Sequence, residues 1–281
     1  MKIAIIYICT GKYSIFWPEF YRTSEQYFYP AIEKKYIVFT DDEQLICALS
    51  SNEKVQTYFQ RRAGWPYDTL MRFNTFCTVQ DCLKNYDFCY FWNANTLFLK
   101  KIDESTIPFP TKENGLVLWR HTTTFDDDSA TTFTVERNTL STAYIANGTK
   151  CHEYGGGFFG GTSNAFIEMS QQLRDNIAQD LSNGIIAVWH DQSHLQHYAT
   201  QHSFCEVPRD TICSEEYMEG RNPYVIFANK QRYGGMHKLR DMPFLFHVKI
   251  FILDMLRKLS KVLGIHKIAR KAYYALKSKK K

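Results

Sequence analysis

Several groups of residues in this sequence have types and spacings suited to chemistry. Asn93-Ala94-Asn95 follows the apolar run Phe88-Cys89-Tyr90-Phe91-Trp92 and sets two amides two residues apart. Trp189-His190-Asp191-Gln192-Ser193-His194 gathers a carboxylate, an amide, a hydroxyl and two imidazoles. The glycine-dense stretch Gly155-Gly156-Gly157-Phe158-Phe159-Gly160-Gly161 lies between them, and Lys230, Arg232, Lys238 and Arg240 form a basic group downstream. No G-x-G-x-x-G opens a helix and no Lys-Ser/Thr follows the glycines, so this is not a phosphate-binding loop. Glycines at this density are costly in a strand unless the backbone must come close to something. The eight cysteines have no Cys-x-x-Cys or zinc-like spacing.

The elements that must carry these groups alternate. Ile3 to Ile8 and Tyr36 to Thr40 are short β-branched or aromatic runs, with a helix-length segment from Trp17 to Lys34 between them and Pro18 in its first turn. A second helix-length stretch, Thr69 to Leu83, precedes a buried strand over Tyr86 to Trp92. An amphipathic helix is expected over Ala165 to Leu181. Strands alternating with helices predict an α/β fold with a mostly parallel sheet and a ligand outside the strands' C-terminal ends. There Thr10-Gly11, Thr40-Asp41-Asp42 and Asn93-Ala94-Asn95 would cluster.

Charge divides the chain. Residues 247–281 hold eleven Lys/Arg and one acid, a net of +10, which leaves −5 for the remaining 246 residues of a chain whose formal charge is +5. An acidic body with no basic strip of interleaved aromatics excludes nucleic acid as its partner. At 281 residues and 44% hydrophobic, the chain can bury a substantial core. No run reaches the roughly 18 apolar residues of a membrane span. Lys2 to Cys9 reads as a first core strand, not an export signal. The cysteines read as reduced, buried thiols, which fits a cytoplasmic protein.

The four motifs Tyr36-x-Val38-Phe39-Thr40-Asp41, Asn93-Ala94-Asn95, Gly156-Gly157-Phe158-Phe159-Gly160-Gly161 and Trp189-His190-Asp191-x-Ser193-His194-Leu195-x-x-Tyr198 stand in that order within about Ala4 to Arg240. Together they resemble glycosyltransferase family six, which includes the blood-group A and B transferases and α-1,3-galactosyltransferase. The resemblance implies a GT-A, Rossmann-like fold as a catalytic domain over 1–243. It also implies a retaining transfer of a sugar from a UDP-sugar to the 3-hydroxyl of a galactose. By the same resemblance Ile8, Thr10 and Tyr13 contact uridine, Trp65 and Arg72 match a tryptophan and a donor-sugar arginine, and Asp191 holds donor-sugar hydroxyls. His121, Thr134 and Trp189 fall where the family contacts acceptor.

Two departures bear on mechanism. The family binds Mn²⁺ or Mg²⁺ through two carboxylates where this chain has Asn93 and Asn95, with Ala94 between them, so no divalent metal is expected as cofactor. The diphosphate charge would then fall to protein cations, Lys230 first and Arg232 with it. The family has Glu where this chain has Gln192, so Gln192 reads as an impaired Glu→Gln change that keeps shape and loses charge. Gly155, Gly156 and Gly157 stand where small residues face carbon 2 of the donor sugar, which favours UDP-N-acetylgalactosamine. The acceptor expected by analogy is a fucosyl-α-1,2-galactose, as in a blood-group A type product. The competing readings are a UDP-galactose-dependent transferase and a non-catalytic UDP-sugar or glycan-binding protein.

Beyond Pro243, Val248, Ile252, Met255, Leu256, Leu259, Val262 and Leu263 make one helical stripe with Arg257, Lys258 and Lys261 opposite. This basic amphipathic tail, residues 244–281, is expected to lie on an anionic membrane surface, peripheral on its inner face, or else to pack on the body.

Overall fold

The computed structural model describes residues 1–111, 113–121, 133–208 and 210–241. The chain divides into two compact units, Met1–Asn229 and Lys230–Lys281. The expected tail helix lies outside the described residues.

In the first unit, strand periodicity builds a sheet that is apolar on both faces. β1 (Lys2–Ile8) is followed by a 3₁₀ turn (Gly11–Phe16) and α1 (Trp17–Tyr27), then β2 (Glu33–Thr40), α2 (Glu43–Leu49) and β3 (Val55–Phe59). Three short helices follow, α3 (Tyr67–Leu70), α4 (Arg72–Cys77) and α5 (Gln80–Leu83), before β4 (Phe88–Trp92), β5 (Thr96–Phe98) and β6 (Leu116–Arg120). The chain continues through β7 (Tyr154–Thr162), α6 (Ser163–Ser182), α7 (Asp191–Ala199), β8 (Cys205–Glu206), β9 (Ile212–Ser214) and β10 (Val225–Phe227). Among the described residues, seven strands form one sheet in the order β3-β2-β1-β4-β7-β6-β8, and three form a second in the order β5-β10-β9. The four strands at the β3 end of the large sheet are mutually parallel, and β7 runs antiparallel to both neighbours.

Alternation sorts side chains between the two faces of the large sheet. Ala4, Ile6, Ile37, Phe39, Phe91 and Phe159 pack with Phe73, Phe76, Phe166 and Leu173 from α4 and α6. The opposite face is aromatic: Tyr7 meets Phe20 at 4.2 Å, Trp92 meets Phe158 at 4.1 Å, and Phe28 meets Phe98 at 5.3 Å. Burial of each such ring stabilises by about 1.5–3 kcal/mol.

Two helices are shorter than their sequence spans predict. α1 stops at Tyr27 because Pro30 cannot continue it, Tyr29 turns to φ 43°, and Lys34 belongs to β2 instead. The stretch Thr69 to Leu83 is broken at Met71 (φ −85°, ψ 12°), which starts α4 afresh at Arg72. β7 is a full strand despite its glycines. All eight cysteines are free; Cys9, Cys89, Cys151 and Cys213 are buried, while Cys47 is exposed and Cys77, Cys82 and Cys205 are half-buried. No helix among the described residues is long and apolar enough to cross a membrane.

In the second unit, a 3₁₀ turn (Lys230–Tyr233) leads into α8 (Gly235–Leu239). Gly234 joins them at φ 87°, a left-handed conformation that a side chain would strain.

Candidate active site

The strand ends converge as the parallel topology requires. Pairing of Tyr7 with Trp92 sets Ile8 and Asn93 beside each other where β1 and β4 finish. The Tyr7 hydroxyl donates to Ala94 O at 2.9 Å. Burial pushes the Tyr7 phenol well above its usual range, so it stays protonated and keeps donating. Thr10 is buried at the entry to the 3₁₀ turn that carries Tyr13, and Tyr13 N donates to Thr10 O at 3.3 Å. Gly11, at φ 58°, donates its N–H to Asp41 Oδ1 at 2.6 Å, which ties this turn to the end of β2.

The Asn93-Ala94-Asn95 corner is locked by hydrogen bonds. Asn93 N donates to Gly157 O at 2.9 Å, bringing the corner against the glycine strand. Asn93 Nδ2 donates to Asn95 Oδ1 at 3.1 Å, and Asn95, only 5% exposed, donates Nδ2 to Ala228 O at 2.7 Å. Both side chains are therefore donors, which ionised carboxylates cannot be. A hard divalent cation wants converging, preferably anionic, oxygens. Here one amide oxygen is engaged and the nitrogen beside it faces a backbone carbonyl, so the pair does not fit such an ion.

Arg72 enters from the first position of α4 and lies over the Phe91 ring at 4.3 Å. Its Nη1 donates to Gly156 O at 2.5 Å and lies 2.8 Å from Asp191 Oδ2. Arg72 is 8% exposed and Asp191 2%. Burial pushes the Asp191 carboxyl up to about 6, against the opposing pull of Arg72. Gln192, the next residue, accepts from Gly156 N through Oε1 at 3.1 Å. Gly156 is thus gripped on both its backbone groups, O by Arg72 and N–H by Gln192.

Asp191 and Gln192 open α7, and the residue before them is strained. His190 adopts φ 54°, ψ −127°, which costs a residue with a Cβ about 1–3 kcal/mol. Trp189 N donates to Ser193 Oγ at 2.9 Å, and the Trp65 ring meets the His190 ring edge-on at 5.2 Å.

The three glycines at the head of β7 do different work. A Cβ on Gly155 would meet the Trp119 ring at 2.3 Å, and one on Gly157 would meet the Phe227 ring at 2.8 Å. Those two glycines admit aromatic rings, so the room for a sugar substituent argued from all three rests on Gly156 alone. A Cβ there would lie 3.5 Å from Arg72 Nη1, 3.5 Å from Gln192 Cβ and 3.6 Å from Asp191 Oδ2.

The structure thus brings Arg72, Asp191, Gln192 and Gly156 into contact, with Gly157 and Asn93 adjoining and Ile8, Thr10 and Tyr13 on the neighbouring strand edge. Of the residues expected at the acceptor, His121 follows β6, donates its N–H to Glu153 O at 2.7 Å and has its ring 5.1 Å from that of Trp119. Thr134 is half-buried between buried Phe133 and Val135, and residues 122–132 leading to it lie outside the described set. Lys230 and Arg232 are both in the 3₁₀ turn of the second unit.

Sequence reasoning missed several contributors. Tyr7 and Phe91 carry a signal only in hindsight, as aromatics alternating in strands beside the motif. Ser193, four residues after Trp189, has the spacing of a side-chain cap. Nothing in the sequence marks Ala228 as the partner of Asn95.

The family model described as Glycosyltransferase family 6 matches residues 1–226. The O-antigen biosynthesis glycosyltransferase WbnI of Escherichia coli is 31% identical over 241 residues, covering 85% of this chain and 100% of that protein. Globoside alpha-1,3-N-acetylgalactosaminyltransferase 1 of Homo sapiens is 23% identical over 228 residues, covering 79% of this chain and 62% of that protein. Histo-blood group ABO system transferase 1 of Rattus norvegicus is 41% identical over 70 residues, covering 25% of this chain and 20% of that protein.

Proposed function

The chain belongs to glycosyltransferase family 6, and on that premise we propose that it transfers N-acetylgalactosamine from UDP-N-acetylgalactosamine to the 3-hydroxyl of a galactose, with retention of the α anomer and without a divalent cation. The acceptor we assign is a fucosyl-α-1,2-galactose. The observation that carries this reading is the contact of Arg72 and Asp191 around a residue, Gly156, that has no side chain. A buried guanidinium and carboxylate 2.8 Å apart offer a donor and an acceptor for sugar hydroxyls, and the missing Cβ leaves space beside them.

Each residue has a distinct task. Ile8, Thr10 and Tyr13 hold the uridine at the end of β1. Asp191, when ionised, accepts hydroxyl hydrogens through both oxygens and keeps its pairing with Arg72. Gln192 Oε1 keeps position through Gly156 N, but an amide cannot stabilise the positive charge that develops at carbon 1 as the bond to UDP breaks. Loss of one such electrostatic contact slows chemistry by about 10²–10³. Asn95 supports the metal-free reading because its amide donates to Ala228 O, where a carboxylate would be repelled. Lys230 and Arg232 are our candidates for meeting the diphosphate charge. His121, Thr134 and Trp189 are our candidates for the acceptor. The basic tail is assigned to an anionic membrane surface, which liposome co-sedimentation of the full chain tests.

Transfer from UDP-N-acetylgalactosamine to a fucosylated galactoside, assayed with EDTA present, tests the reading. Preference for UDP-galactose moves it to a galactosyltransferase. The amide at 192 favours a second reading, a protein that binds a UDP-sugar without turning it over, and binding without product even after Gln192→Glu would establish that one.

A further inference from the structure

Asp191 and Gln192 reach Arg72 and Gly156 directly after a turn that takes a strained course through His190. Such a conformation persists where the surroundings over-determine it. Two side chains do so here. Ser193 Oγ accepts from Trp189 N at 2.9 Å. Glu136, 4% exposed, accepts from Val188 N at 2.7 Å through Oε2 and from Asn138 N at 2.8 Å through Oε1. Its backbone is tied as well, since Ile145 N donates to Glu136 O at 3.0 Å. The same segment runs on beside α7, where Tyr144 O lies 2.7 Å from His197 Nδ1 and Thr142 Oγ1 lies 3.4 Å from His194 Nδ1.

A buried carboxylate is a poor way to fill space, because its desolvation is unfavourable unless hydrogen bonds replace the lost water. Glu136 has those bonds, and they join two segments far apart in sequence. One is its own loop at Asn138 and the other is the lead into the Asp191-Gln192 turn.

We propose that Glu136 is a positioning residue of the transfer site: by bridging Asn138 N and Val188 N it fixes the turn over residues 188–190 that delivers Asp191 to Arg72 and Gln192 to Gly156. The inference rests on the donor-site reading above. Its effect should fall on the sugar half of the donor and spare the nucleotide half, since Ile8, Thr10 and Tyr13 stand on another strand end.

The test compares binding of UDP and of UDP-N-acetylgalactosamine, by calorimetry, in the full chain and in Glu136→Gln. The variant keeps the shape but turns an N–H donor toward one of the two backbone N–H groups. The expected result is UDP affinity unchanged and the extra affinity due to the sugar lost by about tenfold or more, as for a misplaced positioning group. A general loosening would weaken both ligands together, and that outcome, or a sugar advantage kept at its original size, overturns the proposal. Should Glu136→Gln not fold, Ser193→Ala removes the other anchor of the same turn; it must show the same selective loss, and an intact sugar advantage overturns the proposal. An unsubstituted chain that binds UDP and UDP-N-acetylgalactosamine equally overturns the donor-site reading and this inference with it.

Discussion

Gly156 N donates to Gln192 Oε1 at 3.1 Å, so the Gln192 amide is held by a bond that needs only an oxygen acceptor. A glutamate oxygen can accept the same bond in the same place. Gln192→Glu is therefore expected to leave affinity for UDP-N-acetylgalactosamine within about threefold of its starting value, since one neutral acceptor is exchanged for a charged one without new contacts. Calorimetric titration of both forms checks this. A large loss of affinity would mean that residue 192 is held by its amide nitrogen instead.

Gly156 and its neighbours should respond in opposite ways to the same substitution. Gly156→Ala puts a methyl at ordinary contact distance from Arg72, Asp191 and Gln192, so the protein should fold with an unchanged Tm. Its ratio of kcat/KM for UDP-N-acetylgalactosamine over UDP-galactose should fall by about 10–200-fold, the range for one methyl-sized misfit in a pocket. Gly155→Ala and Gly157→Ala drive a methyl into the rings of Trp119 and Phe227 and should destabilise by about 1–3 kcal/mol. Thermal melts and donor competition assays separate the two classes.

The Asp191 carboxyl, raised to about 6, gives function and stability opposite pH slopes. On the proposed function the donor sugar is held by the ionised form paired with Arg72, so affinity for UDP-N-acetylgalactosamine should drop as pH falls through about 6 while affinity for UDP does not. Stability moves the other way. A carboxyl whose folded pKa exceeds its unfolded value, about 3.9, binds its proton more tightly when folded. Its contribution is fully present below that unfolded value and is lost as pH rises through about 6. Arg72→Ala removes the opposing cation and should move the affinity midpoint to higher pH. Titrations against pH for the two ligands check the sign.

Asn95→Asp replaces a donor to Ala228 O with a charge that repels it in a nearly solvent-free site. The expected cost is about 1–3 kcal/mol of stability at neutral pH, the penalty for a buried group left unsatisfied. Denaturant unfolding at pH 7 measures it, and an unchanged midpoint would remove the argument that this corner is built for amides.

The chain's large features were readable because they follow from periodicity. Apolar runs separated by helix-length segments specify the parallel strands β1, β2 and β4, and their ends mark the site. Helix lengths were overread where one residue intervenes: Pro30 ends α1 early, and Met71 splits the span that places Arg72 at a helix start. The sheet of β5, β9 and β10 was not anticipated, because strands of three residues carry almost no pattern. At the site, residue types were legible and their partners were not. The glycines do mark close approach, but that Gly155 and Gly157 receive rings from Trp119 and Phe227 is a tertiary fact. Glu136, distant in sequence from the motif it braces, had no signal beyond being an acid in a segment that folds inward.

One measurement decides between these outcomes: N-acetylgalactosamine transferred to a fucosyl-α-1,2-galactoside, with EDTA present, by the chain and by Gln192→Glu. Slow transfer by the chain and a rise of about 10² or more on restoring the carboxylate are predicted, from the loss of one electrostatic contact at the reacting carbon. Product only when Mn²⁺ or Mg²⁺ is added, or none from either form, would contradict it.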